Sequence, residues 1–117
     1  MKVIIAGSRH ITEYAAVVEA VKRSGFEITE VVSGTCRGVD KLGERWAEEN
    51  GVPIKRFPAD WDHDYDNLAG FARNGEMASY ADALLLVWDG RSPGSKNVLL
   101  HIKHLKKPHR EHFHDPI

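Results

Sequence analysis

Two kinds of hydrophobic run alternate along the chain. Val3-Ile4-Ile5-Ala6 is short, unalternating and β-branched, and Gly7 closes it. Such a run predicts a strand buried on both faces, as in a parallel sheet. Thr12 offers an N-cap, and Ala15, Val18 and Val21 then recur at helical spacing up to Gly25, which predicts a helix with a glycine stop. Ile28 to Val32 reads as a second strand, ended by Ser33-Gly34-Thr35. Val39, Leu42, Trp46 and Ala47 place a second helix from Val39 to Asn50, stopped by Gly51, and Pro53 opens a third extended piece, Ile54 to Phe57. Asp60-Trp61-Asp62-His63-Asp64-Tyr65-Asp66 has no period and reads as a loop. Leu68, Phe71, Ala72 and Met77 predict a third helix to about Tyr80, and Ala83 to Trp88 is the strongest strand in the chain. Gly90 and Pro93-Gly94 mark a loop, and Val98, Leu99, Ile102 and Leu105 form the apolar face of a last helix before Pro108.

The order is β-α-β-α-β-loop-α-β-α, with room for one more short strand. Strands alternating with helices imply parallel pairing and right-handed crossovers. The expected fold class is α/β, a single Rossmann-like three-layer α/β/α sandwich with a mostly parallel sheet. No linker or repeat divides residues 1–117, so one domain is expected, with residues 109–117 as a His-rich tail.

Composition narrows the classes. At 117 residues, 42% hydrophobic and 28% charged, the chain has an ordinary globular balance. Sixteen Lys and Arg against 17 Asp and Glu leave a net charge of −1, which disfavours nucleic acid as a general partner. Cys36 is the one cysteine, so no intramolecular disulfide can form and a reducing, cytoplasmic setting is expected. No apolar run is long enough for a membrane span.

The candidate chemistry lies at the strand ends. Ligands of open parallel sheets bind outside the carboxyl ends of the strands. Those ends carry Gly7-Ser8-Arg9, then Ser33-Gly34-Thr35-Cys36-Arg37-Gly38-Val39-Asp40, then Pro58-Ala59-Asp60-Trp61, then Asp89-Gly90-Arg91-Ser92-Pro93-Gly94-Ser95. Glycines admit close backbone approach, helix N-termini present unpaired N–H groups, and Ser, Thr and Arg add donors. This is the chemistry of a phosphate site, although neither the G-x-G-x-x-G fingerprint nor the G-x-x-x-x-G-K-[ST] loop is present. Gly90-Arg91-Ser92-Pro93-Gly94 matches the spacing of a nucleophile elbow, but Pro93 has no N–H for an oxyanion hole.

Those segments, with Arg73-Asn74, Met77 and Ala81-Asp82-Ala83 through Trp88-Asp89-Gly90, resemble the YspA/YpsA-related branch of the SLOG superfamily, which also groups the Smf/DprA proteins and the LOG-type phosphoribohydrolases. The resemblance runs from Met1 to about Pro108. It implies a Rossmann-like fold that binds nucleotides or nucleotide-derived ligands. Active members of the wider superfamily cleave the N-glycosidic bond of nucleoside monophosphates with an Arg-Lys-x-x-Met motif and a Gly-Gly-x-Gly-Thr-x-x-Glu motif. Arg73-Asn74-Gly75-Glu76-Met77 is similar to the first, which would place Arg73 and Asn74 near the ligand. Gly94-Ser95 stands for the Gly-Thr pair of the second, but Asn97 and Val98 occupy the acidic positions. The family's glutamates are absent, which favours a sensor or regulatory role over catalysis.

The expected function is therefore binding of a nucleotide or nucleotide-derived phosphate. The phosphate would sit at Gly7-Ser8-Arg9, Gly34-Thr35 and Gly94-Ser95, with Arg37 and Arg73 balancing its charge. Ser33, Gly38 and Gly90 shape the loops. Asp40 reads either as a first-turn charge or as a ribose contact, and Trp61 as a stacking surface or a core residue. The alternatives are a nucleotide or sugar-phosphate hydrolase with Asp60 or Asp89 as base, and a single-stranded nucleic-acid binder. Magnesium arriving with a nucleotide is the one cofactor expectation. The aspartates from Asp60 to Asp66 lack the glycine and glutamate of a calcium loop, and His101, His104, His109, His112 and His114 have no four-ligand spacing. Cys36 reads as a small buried residue. Self-association is expected from the two open edges of a small sheet.

Overall fold

A computed structural model describes residues 1–59 and 68–114. Nine elements follow one another: β1 (Lys2–Gly7), α1 (Tyr14–Ser24), β2 (Glu30–Ser33), α2 (Val39–Glu49), β3 (Ile54–Arg56), α3 (Leu68–Tyr80), β4 (Ala83–Trp88), α4 (Pro93–His104) and β5 (His109–Phe113). The strands form one sheet in the order β3-β2-β1-β4-β5, and every pairing is parallel.

The unalternating strands are explained by burial on both faces. Val3, Ile5, Leu85 and Val87 turn to one side, where α1 and α2 contribute Val17, Ala20, Val39 and Ala47. Ile4, Ala6, Leu84 and Leu86 turn to the other, against Met77 and Ala78 of α3 and Val98 and Ile102 of α4. All six residues of β4 are buried. The result is a three-layer α/β/α sandwich of Rossmann-like type.

The chain steps outward from β1 through β2 to β3, then returns to place β4 on the other side of β1. That reversal opens a crevice between the carboxyl ends of β1 and β4, the usual ligand position in such sheets.

Two local expectations change. Helix α1 begins at Tyr14 with Glu13 as N-cap and no side-chain capping bond, so Thr12 does not cap it. Residues His109–Phe113, read from sequence as tail, pair with β4 as an edge strand. Trp88 Nε1 donates to Glu111 Oε1 at 3.2 Å, and the Trp88 and Phe113 rings stack at 6.1 Å. An edge strand needs only one buried neighbour and is protected by charge, so His-Arg-Glu-His-Phe carries no strand-like pattern. Among the described residues no helix is long and apolar enough to cross a membrane.

Candidate functional site

The loops after β1, β2 and β4 converge at the carboxyl edge of the sheet, and α3 lies across them. Between them is a cavity of about 290 Å³, walled by Gly7, Arg9 and His10, by Cys36 and Asp40, by Arg73 and Asn74, and by Ser92 to Ser95. Ala6, Phe71, Met77 and Val98 supply an apolar part of the wall.

Close approach of the backbones starts at Gly7, where a Cβ would lie 1.7 Å from the Val87 carbonyl oxygen. Only glycine lets the end of β1 meet β4 there. The next residue, Ser8, is buried. Its Oγ accepts the Asp89 N–H at 3.2 Å and shares a 2.8 Å hydrogen bond with Ser92 Oγ. Ser8 therefore ties the two loops together and does not line the cavity.

The loop after β2 satisfies its own polar groups. Ser33 Oγ donates to Glu44 Oε2 at 2.6 Å and accepts the Thr35 N–H at 3.1 Å. Cys36 N–H donates to Asp40 Oδ2 at 3.1 Å. Gly38 is the N-cap of α2 with φ of +81°, and a Cβ on it would meet Ser8 O at 2.4 Å. At Gly34 a Cβ would lie 2.8 Å from both Arg73 Nη1 and Asp40 Oδ2. The missing side chain thus lets a guanidinium and a carboxylate close on the backbone from two elements. Burial pushes the Asp40 pKa up to about 6, against the pull of the Cys36 N–H, Arg73 and Arg9 and with a push from Glu44.

Arg73 and Asn74 join the two sides of the cavity. Arg73 is buried, and its Nη1 donates to the Gly34 carbonyl. Its Nη2 reaches Cys36 Sγ at 3.6 Å, and its Nε donates to Asn74 Oδ1 at 3.0 Å. Asn74 Nδ2 in turn donates to the Gly94 carbonyl at 3.2 Å and to Asn97 Oδ1 at 3.1 Å.

The start of α4 is left open. Ser92 is its N-cap but makes no capping bond, because its hydroxyl is turned to Ser8 and to Asp89 Oδ1, the latter at 3.0 Å. Pro93 has no N–H, and the first turn holds no acidic residue. The next N–H groups, on Gly94 and Ser95, have no intrahelical acceptor. Ser95 Oγ is buried and has no hydrogen-bond partner among the described residues. Asp89 holds the loop in place, its Oδ1 accepting the N–H groups of Arg91 at 2.8 Å and Ser92 at 3.0 Å. Burial pushes the Asp89 carboxyl up, but those bonds, the Ser92 hydroxyl and His10 at 3.6 Å outweigh it and bring the pKa down to about 2.

Of the residues singled out by sequence, the cavity gathers Gly7, Arg9, Asp40, Arg73, Asn74, Gly94 and Ser95. Ser8, Ser33, Gly34, Thr35, Gly38 and Asp89 are not in its lining but build the loops around it. Arg37 is exposed and outside the lining, and Gly90 is exposed beside the Phe113 ring. Asp60 and Trp61, with the rest of the acidic loop, lie outside the described residues. Cys36 is half-buried in the wall. Sequence reasoning passed over His10, which directly follows the marked Gly7-Ser8-Arg9, and Ser92, which sits inside the marked loop after β4. Phe71 carried only a helical apolar signal, which does not separate cavity from core, and Met77 and Val98 were marked by the family motifs but not as site residues. Among the described residues no group of three or more His, Cys, Asp or Glu is disposed to hold a metal ion.

Residues 1–63 match the model of the YspA, cpYpsA-related SLOG family. The Gene 61 protein of Mycobacterium phage D29 is 33% identical over 108 residues, covering 84% of this chain and 85% of that one. Among solved structures, DNA processing protein A of Streptococcus pneumoniae has a similar fold, with a TM-score of 0.76 at 18% identity over 94% of this chain. This chain spans 49% of that protein's length.

Proposed function

The chain belongs to the YspA, cpYpsA-related SLOG family, and from that premise we propose that it binds the phosphate of a nucleotide-derived small molecule at the N-terminus of α4. The observation that carries this reading is Ser95 Oγ, a buried hydroxyl without a partner among the described residues, in the first turn of a helix with no side-chain cap and no acidic residue. A buried, unmatched polar group costs about 1–3 kcal/mol. A helix start of this kind attracts an anion through its free N–H groups and its dipole. Arg9 and Arg73, both in the cavity wall, add positive charge. A volume near 290 Å³ is at the low end for small-molecule sites, which favours one mononucleotide or phosphosugar over a dinucleotide.

The role is binding or sensing. Asp89 serves to organise the loop, since one of its oxygens already accepts three hydrogen bonds. A carboxylate with a pKa near 2 is also a poor base at neutral pH. Thermal-shift titration with AMP, ADP-ribose and ribose 5-phosphate tests the reading. A ligand at a hundred times its dissociation constant adds about 2.7 kcal/mol, a rise of several degrees for a domain of this size. A flat response to all three, with a cooperative melt, would overturn it. Single-stranded nucleic acid is the second reading, suggested by the fold shared with DNA processing protein A. It requires binding that weakens steeply with salt.

A further inference from the structure

We propose that Asp40 makes this site selective for ligands that carry a free ribose hydroxyl, so that ribonucleotides and ribose phosphates bind and their deoxy counterparts are rejected. The proposal rests on the phosphate reading above and adds which part of the ligand lies at the other end of the cavity.

The wall of the cavity is rich in donors. Arg9 and Arg73 bring positive charge to it, and the first N–H groups of α4 have no intrahelical acceptor. Among the described residues Asp40 is the carboxylate in that lining, and an ionised carboxylate is acceptor only, with room for about four hydrogen bonds. The Cys36 N–H engages Oδ2, which leaves acceptor capacity on a side chain that is itself buried. A ligand that fits must bring negative charge to one end and a donor hydroxyl to the other.

The contacts favour a sugar hydroxyl. Arg73 and Asn74 are neighbours in sequence, about 3.8 Å apart at Cα. Asn74 reaches the Gly94 carbonyl beside the open helix start, and Arg73 reaches the carbonyl of Gly34, whose Cα side Asp40 closes on. Two consecutive side chains thus bridge from the proposed phosphate position to Asp40. Both ends line the one cavity, so a single ribose phosphate can present its phosphate to one and a hydroxyl to the other. The apolar side chains of Phe71, Met77 and Val98 are left to meet the base.

The test compares AMP with 2′-deoxyAMP and 3′-deoxyAMP, and ribose 5-phosphate with 2-deoxyribose 5-phosphate, by calorimetry at pH 8. Asp40 is ionised there, since its pKa is about 6. Hydrogen bonds to charged groups are the strong ones, so at least one deoxy analogue should bind about tenfold to a hundredfold more weakly. Asp40→Asn keeps the volume and removes the charge, and should narrow the ratio several-fold while phosphate binding persists. Because the ligand comparison is made on the unaltered protein, poor folding of the variant does not remove the test. Equal affinity for ribo and deoxy forms would overturn the assignment of Asp40 and leave the phosphate site standing. No binding of AMP or ribose 5-phosphate would overturn both.

Discussion

Two helix starts at the same sheet edge look alike in sequence and behave differently in the structure. Ahead of α2 lies Ser33-Gly34-Thr35-Cys36-Arg37-Gly38, and ahead of α4 lies Asp89-Gly90-Arg91-Ser92 followed by Pro93-Gly94-Ser95. Both are glycine-rich and hydroxyl-bearing, and both follow a buried strand. Helix α2 also has no side-chain cap, but its first turn holds Asp40, which takes the Cys36 N–H of the loop ahead of it, while Ser33 takes the Thr35 N–H. The α4 start has no first-turn acid, its N-cap hydroxyl is engaged elsewhere, and Ser95 Oγ is buried without a partner among the described residues. A protein that supplies its own carboxylate has no electrostatic need for an external anion at that helix. One that withholds it does. The difference turns on where the carboxylates sit rather than on the glycines.

The largest effect should come from the residue that links the two starts. Arg73→Ala removes the donor to the Gly34 carbonyl and the cation whose charge acts most on the buried Asp40. A loss of about 3 kcal/mol is expected in urea denaturation, together with loss of phosphate-ligand binding. Adding Asp40→Asn should recover part of the stability and none of the binding. If Arg73→Ala melts like the unaltered protein, the buried link is not structural.

Gly38→Ala should cost about 2–3 kcal/mol, because its φ of +81° and the 2.4 Å approach to Ser8 O both exclude a Cβ. The damage should fall on the α2 start. Gly94→Ala is the control, since a Cβ there meets nothing within 4 Å, and it should melt close to the unaltered protein.

The two aspartates should give opposite pH signatures. The folded pKa of Asp40, about 6, lies above its ordinary value of 3.8. The native state therefore holds the proton more tightly, and stability falls as pH rises from about 4 to 6, then levels. Asp89 is lowered to about 2, so its contribution is present above about pH 4 and lost as pH falls toward 2. Denaturation of Asp40→Asn and Asp89→Asn across pH 2–8 should each flatten one limb. A matching slope in the unaltered protein and Asp40→Asn between pH 4 and 6 would refute the assignment.

The smallest effect on stability should be at Ser95. Ser95→Ala removes an unmatched buried hydroxyl, so melting should change by less than about 1 kcal/mol, or rise, while ligand affinity drops. Ser95→Asp should put a carboxylate at the second helix start and abolish anion binding.

The layers of the fold were legible because burial on both faces writes itself as unbroken runs such as Ala83-Leu84-Leu85-Leu86-Val87-Trp88. Strand β5 was not, because an edge strand needs no such run and its polar residues protect it. The loops of the site were legible through glycines after strands. Their division of labour was not: Ser33 turning to Glu44, Ser92 to Asp89 and Ser8 to Ser92 are choices among hydroxyls of equal chemistry, decided by which partner the packing brings near. Arg37 and Arg73 are both arginines beside the same loop in chemical terms, yet only Arg73, on a helix laid across the crevice, is brought into the wall.

The contrast between the two helix starts can be read residue by residue in a ¹H–¹⁵N correlation spectrum during titration with AMP. The account predicts that the amides of Gly94 and Ser95 shift most, with smaller changes at Cys36. Saturable shifts centred on the amides from Gly34 to Arg37, with Gly94 and Ser95 unmoved, would contradict it.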